Sequence, residues 1–279
     1  MKVTVLVENT SSEDLKGEHG LSLHIEHNGK DYLIDTGKSG LYLENANKIG
    51  VDLSNVNTAF LSHAHYDHSG GFNEFFNINS KASVYLQESC RDKYYYKIKG
   101  PIKKYIGIPK GILEQYDNRF EYLGGFKEID DGVFICPHST DGLNARGKRT
   151  NMYSKVNGEL LVDDFSHEQT VVFEENEELY LFNSCSHGGV ENIIEEIKEI
   201  FPNKEIKAFF GGFHMMGARG VNSCVFSQKE VENTAKTILK SSNATFYTGH
   251  CTGNVASKWL KEVLKDRFVQ LQTGKVVDF

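Results

Sequence analysis

Short apolar runs, most of them stopped by glycine, serine, asparagine or histidine, punctuate this chain from end to end. Residues 3–7 are apolar enough for a buried strand, and Leu21-Ser22-Leu23-His24-Ile25 alternates cleanly with period two. Asn28-Gly29 follows, the strongest short hairpin signal, and Tyr32-Leu33-Ile34 returns as the partner strand. Leu41, Ala46 and Ile49 then recur at helical spacing, with Gly50 as a stop. A strand over 58–61, a short helix over 72–76 and a strand over 83–86 complete the first half. The second half repeats the plan. Residues 133–136 read as a strand, and 170–173 with 179–182 as a hairpin. Val190, Ile193, Ile194, Ile197 and Ile200 mark one helix face ending before Pro202. Another strand over 206–210 leads to the capping box Ser227-Gln228-Lys229-Glu230 and a helix carrying Val231, Ala235 and Ile238. A strand over 244–248, a helix around Trp259, Leu260, Val263 and Leu264, and a closing hairpin of 269–271 with 276–277 around Gly274 finish the chain.

Two stretches break this rhythm. Residues 89–125 hold Tyr94-Tyr95-Tyr96, Lys93, Lys97, Lys99, Lys103, Lys104 and Lys110, with no clear period. They read as an excursion, and as a lid offering aromatic faces and cations to an anion. A basic loop, Arg146-Gly147-Lys148-Arg149, is the other. Tyr94, Lys103, Arg146, Lys148 and, past a later strand, His214 are the substrate-binding candidates.

The chemistry concentrates in Leu61-Ser62-His63-Ala64-His65-Tyr66-Asp67-His68-Ser69-Gly70-Gly71, directly past an apolar strand. Imidazole nitrogen and carboxylate oxygen suit zinc and similar divalent ions. His63 and His65, two apart at a strand end, share one side. Asp67 and His68, past a turn, reach a second ion, so the spacing points to two metals. His187, His214 and His250 also stand just past apolar strands, in Cys185-Ser186-His187-Gly188-Gly189, Gly211-Gly212-Phe213-His214 and His250-Cys251-Thr252-Gly253. His24, His27 and His167 have no ligand-type spacing; the first two read as structural and His167 as solvated. His138 stands apart as an unfavoured ligand. Asp35, in Asp35-Thr36-Gly37, suits a turn or helix cap.

Composition narrows the classes. The 279 residues could hold one large domain or two small ones and suffice for a sizeable core, and 31 basic against 38 acidic residues give a net charge of −7, against a nucleic-acid binder. No apolar run is long enough to cross a membrane, and Glu8 interrupts the opening run too early for a signal peptide. Five dispersed cysteines without a Cys-x-x-Cys clip suit a reduced, cytoplasmic setting. Neither nucleic acid nor membrane is expected as a partner; a small anionic substrate is, and self-association stays open.

With the His-x-His-x-Asp-His motif, the segments Val5-Leu6-Val7-Glu8-Asn9, Leu33-Ile34-Asp35-Thr36-Gly37 and the three later histidine segments, the chain resembles the metallo-beta-lactamase-fold superfamily. Within it, the chain is similar to the branch of 7,8-dihydropterin-6-methyl-4-(beta-D-ribofuranosyl)-aminobenzene-5'-phosphate synthase-like proteins. The resemblance spans the chain and implies one domain, 1–279, of α/β class. It would be a four-layer αββα sandwich, two mixed sheets with helices outside. It also implies that Asp35 orients the ligand loop from behind, that His250 is the last ligand, and that the Cys185-Ser186-His187 segment, which holds no aspartate, stands where one commonly bridges the ions, with either Cys185 or water in its place.

The expectation is thus a binuclear metallo-hydrolase acting on a phosphorylated anion, with zinc first and manganese or iron as alternatives. His63, His65 and His187 would hold one ion; Asp67, His68 and His250 the other; Asp67 and His214 would move protons. The alternatives are a pterin-phosphate synthase of the methanopterin pathway, a redox di-iron protein, and a metal-binding module without turnover.

Overall fold

The computed structural model describes residues 1–12 and 14–279, and these divide into two compact units. The first comprises Met1–Gly124, Asn151–Val162 and Leu271–Phe279; the second comprises Gly125–Thr150 and Asp163–Gln270. The class is mixed α/β. Among the described residues no helix is long and apolar enough to cross a membrane.

A seven-stranded mixed sheet organises the first unit, in the order Val276–Asp278, Lys2–Val7, Ser22–His27, Lys30–Ile34, Thr58–Phe60, Ser83–Gln87 and Phe120–Leu123. Asn28 (φ 50°) and Gly29 (φ 72°) are both left-handed, as a two-residue hairpin turn that follows strand twist demands. His24 lies on this hairpin and meets Asp31 of the facing strand at 2.8 Å, which explains a histidine at a buried strand position. Beyond Lys30–Ile34 the pairing turns parallel. The helix Leu41–Ile49 is tied to the sheet by Asn45, whose Nδ2 donates to the carbonyls of Leu6 and Lys16 at 2.9 Å each.

The second unit has its own seven-stranded sheet, ordered Phe268–Gln270, Thr245–Thr248, Glu205–Phe210, Glu178–Phe182, Gln169–Glu175, Val133–Pro137 and Lys127–Asp130. It too passes from an antiparallel hairpin to parallel strands. One face carries Val172, Leu181, Phe209 and Phe246, buried against the helices Val190–Ile200, Gln228–Ser241 and Gly253–Leu264. Residues alternate across a strand, so Phe182, Phe210 and Tyr247 stack on the other face, with ring centroids 4.9 and 4.3 Å apart.

Three expectations change. The closing hairpin does not form: Phe268–Gln270 runs parallel to Thr245–Thr248, while Val276–Asp278 pairs with Lys2–Val7. Short apolar strands around a glycine fit either arrangement, and only the rest of each sheet supplies the partner. The excursion at 89–125 is largely regular, because Lys93–Lys99 and Ile102–Tyr105 join Met152–Val156 and Glu159–Val162 in a four-stranded sheet. The basic loop is a helix, Asn144–Thr150.

Ile194 is fully buried on the inner face of Val190–Ile200. Ile194→Ala is expected to cost about 2–5 kcal/mol, the range for truncating a large aliphatic side chain in a packed core. Urea unfolding read by circular dichroism checks it; a loss below about 1 kcal/mol would mean that this helix face is loosely packed.

Candidate metal centre

In the first unit the strand Thr58–Phe60 ends and the chain turns through His63 and His65 into the single helical turn Tyr66–Ser69. The turn is tight because Gly70 and Gly71 lack side chains: a Cβ on Gly70 would lie 2.1 Å from the Lys38 carbonyl oxygen. The result is a buried group of imidazoles, with the His63 ring centroid 4.6 Å from that of His65 and 4.2 Å from that of His68.

One carboxylate orders this group. Asp35, fully buried and left-handed at φ 60°, accepts hydrogen bonds from Ser62 N, Ser62 Oγ and His68 Nδ1, each at 2.7 Å. Ser62 Oγ also lies 2.8 Å from His63 Nδ1. Since the hydroxyl proton goes to Asp35, Ser62 Oγ accepts from His63 Nδ1. Both His63 and His68 are therefore held with the proton on Nδ1 and the lone pair on Nε2, the tautomer a metal-ligating imidazole needs. Three close, buried imidazoles, two of them locked this way, fit a divalent cation. Asp67 Oδ2 adds a carboxylate 3.9 Å from His68 Nε2 and 3.1 Å from His19 Nε2.

Tyr94 lies against this group, its ring 6.2 Å from that of His65 and edge-on, while its hydroxyl donates to the Ser89 carbonyl at 2.6 Å. Lys103 does not. It pairs in register with Lys97 and its Nζ sits 4.8 Å from the Tyr95 ring. Tyr94 and Tyr95 alternate across the strand, so Lys103 stands on the face turned away from His65.

In the second unit three loops meet. They follow Glu178–Phe182, Glu205–Phe210 and Thr245–Thr248 and carry His187, His214 and His250. The chain crosses itself closely here. A Cβ on Gly211 would fall 1.8 Å from the Asn183 carbonyl oxygen, and one on Gly212 would fall 2.4 Å from Cys251 Sγ. Ser186, His214 and His250 all hold left-handed backbones, at φ 50°, 47° and 50°. Non-glycine residues in that region store strain and mark functional loops. The His187 ring lies 4.0 Å from that of His214 and stacks on Phe165 at 4.7 Å. Cys251 donates to the Cys185 carbonyl at 3.6 Å. Burial opposes ionisation of Cys251, yet hydrogen bonds from the Cys185 and His214 side outweigh it and bring the thiol down to about 5.

Glu168 supports His187. Fully buried, it accepts from the backbone N–H of His187 at 2.8 Å and of Gly188 at 2.9 Å, and lies 3.1 Å from His138 Nε2. Burial pulls the His138 value down, but the Glu168 hydrogen bond and charge prevail and raise it above the ordinary histidine range. Burial pushes Glu168 up; His138 and the two amides prevail and lower it. His167 is not solvated: it is fully buried, 3.3 Å from Asp163 Oδ2. The helix Asn144–Thr150 does not present a basic clamp. Arg146 Nη2 donates to the Ser186 and Phe213 carbonyls at 3.5 and 3.4 Å, Lys148 is exposed, and Arg149 holds Glu230 at 2.7 and 2.9 Å.

Residues 16–143, which contain the His63–His68 segment, match the family model described as metallo-beta-lactamase superfamily. A solved metal-dependent hydrolase of the beta-lactamase superfamily, Tm1679, is 28% identical, with 100% of this chain and 99% of that one covered and a TM-score of 0.82. Over residues 16–143 the chain is thus similar to the metallo-beta-lactamase superfamily. A relative from Methanocaldococcus jannaschii, 7,8-dihydropterin-6-methyl-4-(beta-D-ribofuranosyl)-aminobenzene-5'-phosphate synthase, is 25% identical over 97% of this chain and 95% of its own. Zn(2+)-bound PqqB from Methylobacterium extorquens has a similar fold at 10% identity and a TM-score of 0.58, with each chain covered in full.

His19, Ser62, Asp163 and Glu168 are supporting residues that sequence reasoning passed over. None stands in a periodic or ligand-like pattern. Ser62 alone had a signal, as the hydroxyl next to His63 at the strand end.

Two outcomes follow from the supporting carboxylates. Asp35→Asn should weaken zinc binding about 10–100-fold, the usual loss when the group behind a ligand is changed; chelator competition measures it, and unchanged affinity would refute the role. His138, raised on folding, stabilises fully below about pH 6.5, and this is lost as pH rises through its folded value; Glu168, lowered, loses its contribution as pH falls below about 4.3. Glu168→Gln should remove the alkaline loss and cost about 3–5 kcal/mol at neutral pH. Urea midpoints between about pH 3 and 9 test both, and an unchanged profile would count against the pair.

Proposed function

We propose that this chain is a metal-dependent hydrolase that cleaves a small, anionic, phosphorylated substrate with water. The observation that carries the reading is the relay His63–Ser62–Asp35–His68, which fixes two buried imidazoles with their ligating nitrogens ready. The residues proposed as ligands are His63, His65, Asp67 and His68 in the first unit and His187 and His250 in the second. Bound there, divalent ions would supply Lewis acidity, lowering the pKa of water toward neutrality and countering charge on the attacked centre.

The chain's own residues do the rest. Asp35 and Ser62 hold the His63 and His68 tautomers. Asp67, 3.1 Å from the half-exposed His19, takes a proton and passes it outward or returns it to the leaving group. Tyr94 stands edge-on to His65, where its apolar ring excludes water.

The M. jannaschii relative favours a second reading, a synthase acting on a pterin and a phosphoribosyl-aminobenzene. A substrate panel separates the two. Protein purified without chelator should carry about two zinc ions that depend on His63 and His65. It should hydrolyse phosphate esters, and Asp67→Asn should lower kcat about 10²–10⁴-fold. Metal without ester turnover, but with consumption of the pterin pair, would replace hydrolysis by the synthase reading. Neither metal nor turnover would end both.

A further inference from the structure

Cys185 and Cys251 have no part in that mechanism, yet they come together in the second unit. The five cysteines of the chain form no disulfide, and these two are buried. Their sulfurs and a ring nitrogen of His214 all lie within 4.8 Å of one another. We infer that Cys185, Cys251 and His214 form a cation site for a thiophilic divalent metal.

The donors suit that chemistry. Two thiolates and an imidazole are the set that selects zinc, ferrous iron or cobalt over magnesium and manganese. With metal–sulfur and metal–nitrogen bonds of about 2.0–2.3 Å, tetrahedral donors stand about 3.5–4 Å apart, so only a small closure is needed. Two thiolates also neutralise a divalent charge in a buried place, where an unpaired ion is costly. The fourth position stays open.

The backbone is built for this approach. Gly212 lets the 211–214 loop pass over Cys251, since any Cβ there would collide with Sγ. The three loops are pinned together: Gly212 N donates to the Ser184 carbonyl at 2.8 Å, Phe213 N to Thr252 Oγ1 at 2.9 Å, and Met215 N to the Cys251 carbonyl at 3.0 Å. His214 is held left-handed at φ 47°, which costs strain and points to a fixed task for its side chain. The set shares no residue with the six histidine and aspartate ligands proposed above. With its lone pair on the cation His214 keeps no basic nitrogen, whereas a carboxylate such as Asp67 keeps its second oxygen, so this assignment replaces the shuttle role expected of His214 from sequence.

The full chain, stripped of metal and kept reduced, is titrated with cobalt and read by near-ultraviolet absorption. A thiolate-to-cobalt charge-transfer band is expected. It should vanish in Cys185→Ser and in Cys251→Ser and persist in His63→Ala, so failure of the imidazole site and of the thiolate site are told apart. No band in the wild type overturns the site. So does a band that survives the double serine variant, or one lost in His63→Ala. Should the serine variants fail to fold, alkylation of the wild type decides: zinc should protect Cys185 and Cys251 from iodoacetamide and leave Cys224 unchanged, and equal labelling with and without zinc overturns the assignment.

Discussion

Everything in the first unit's chemistry hangs on a carboxylate that water does not reach. Asp35 takes three hydrogen bonds of 2.7 Å from a backbone amide, a hydroxyl and an imidazole. A buried charge of this kind is tolerable only when fully engaged, and each donor is thereby locked in direction. The ligand loop inherits its geometry from that demand. His68 is aimed directly, and His63 through Ser62. The left-handed backbone at Asp35 is the cost of turning its side chain back under the loop that follows 27 residues later.

The second unit reaches order by a different route. Its loops are held by close passage of backbone over backbone, at Gly211 and Gly212, and by Glu168 gripping two successive amides. Strain at Ser186, His214 and His250 is offset by the helices that pack the sheet behind them. In both units a strand leads into a turn and a helix, and the functional side chain sits where the ladder ends. There the backbone is released from pairing and can bend toward a ligand.

Much of this was legible in the residues. Period-two runs, Asn28-Gly29, the Ser227–Glu230 capping box and the Val190–Ile200 stripe predict their elements because each rests on local contacts. The His63–His68 segment was legible for the same reason, as spacing alone places its groups together. Glu168 and Ser62 were not legible as supports, because a carboxylate or hydroxyl gains such a role only from distant partners. His167 was misread for that reason too: an imidazole beside a glutamate looks solvated until Asp163 and Phe165 close over it.

The residues by themselves therefore determined the local elements, the clustered imidazoles and the mixed α/β class. Tertiary structure decided the rest. It sent the last two strands to separate sheets, folded the tyrosine–lysine stretch into a sheet with Met152–Val156, and turned Lys103 away from His65. It spent Arg146 on backbone carbonyls and brought Cys185 beside Cys251 across 66 residues. The physical reason is common to all of these. Strand partners, buried-charge partners and thiol neighbours are chosen by long-range packing, which composition and period along a chain do not encode.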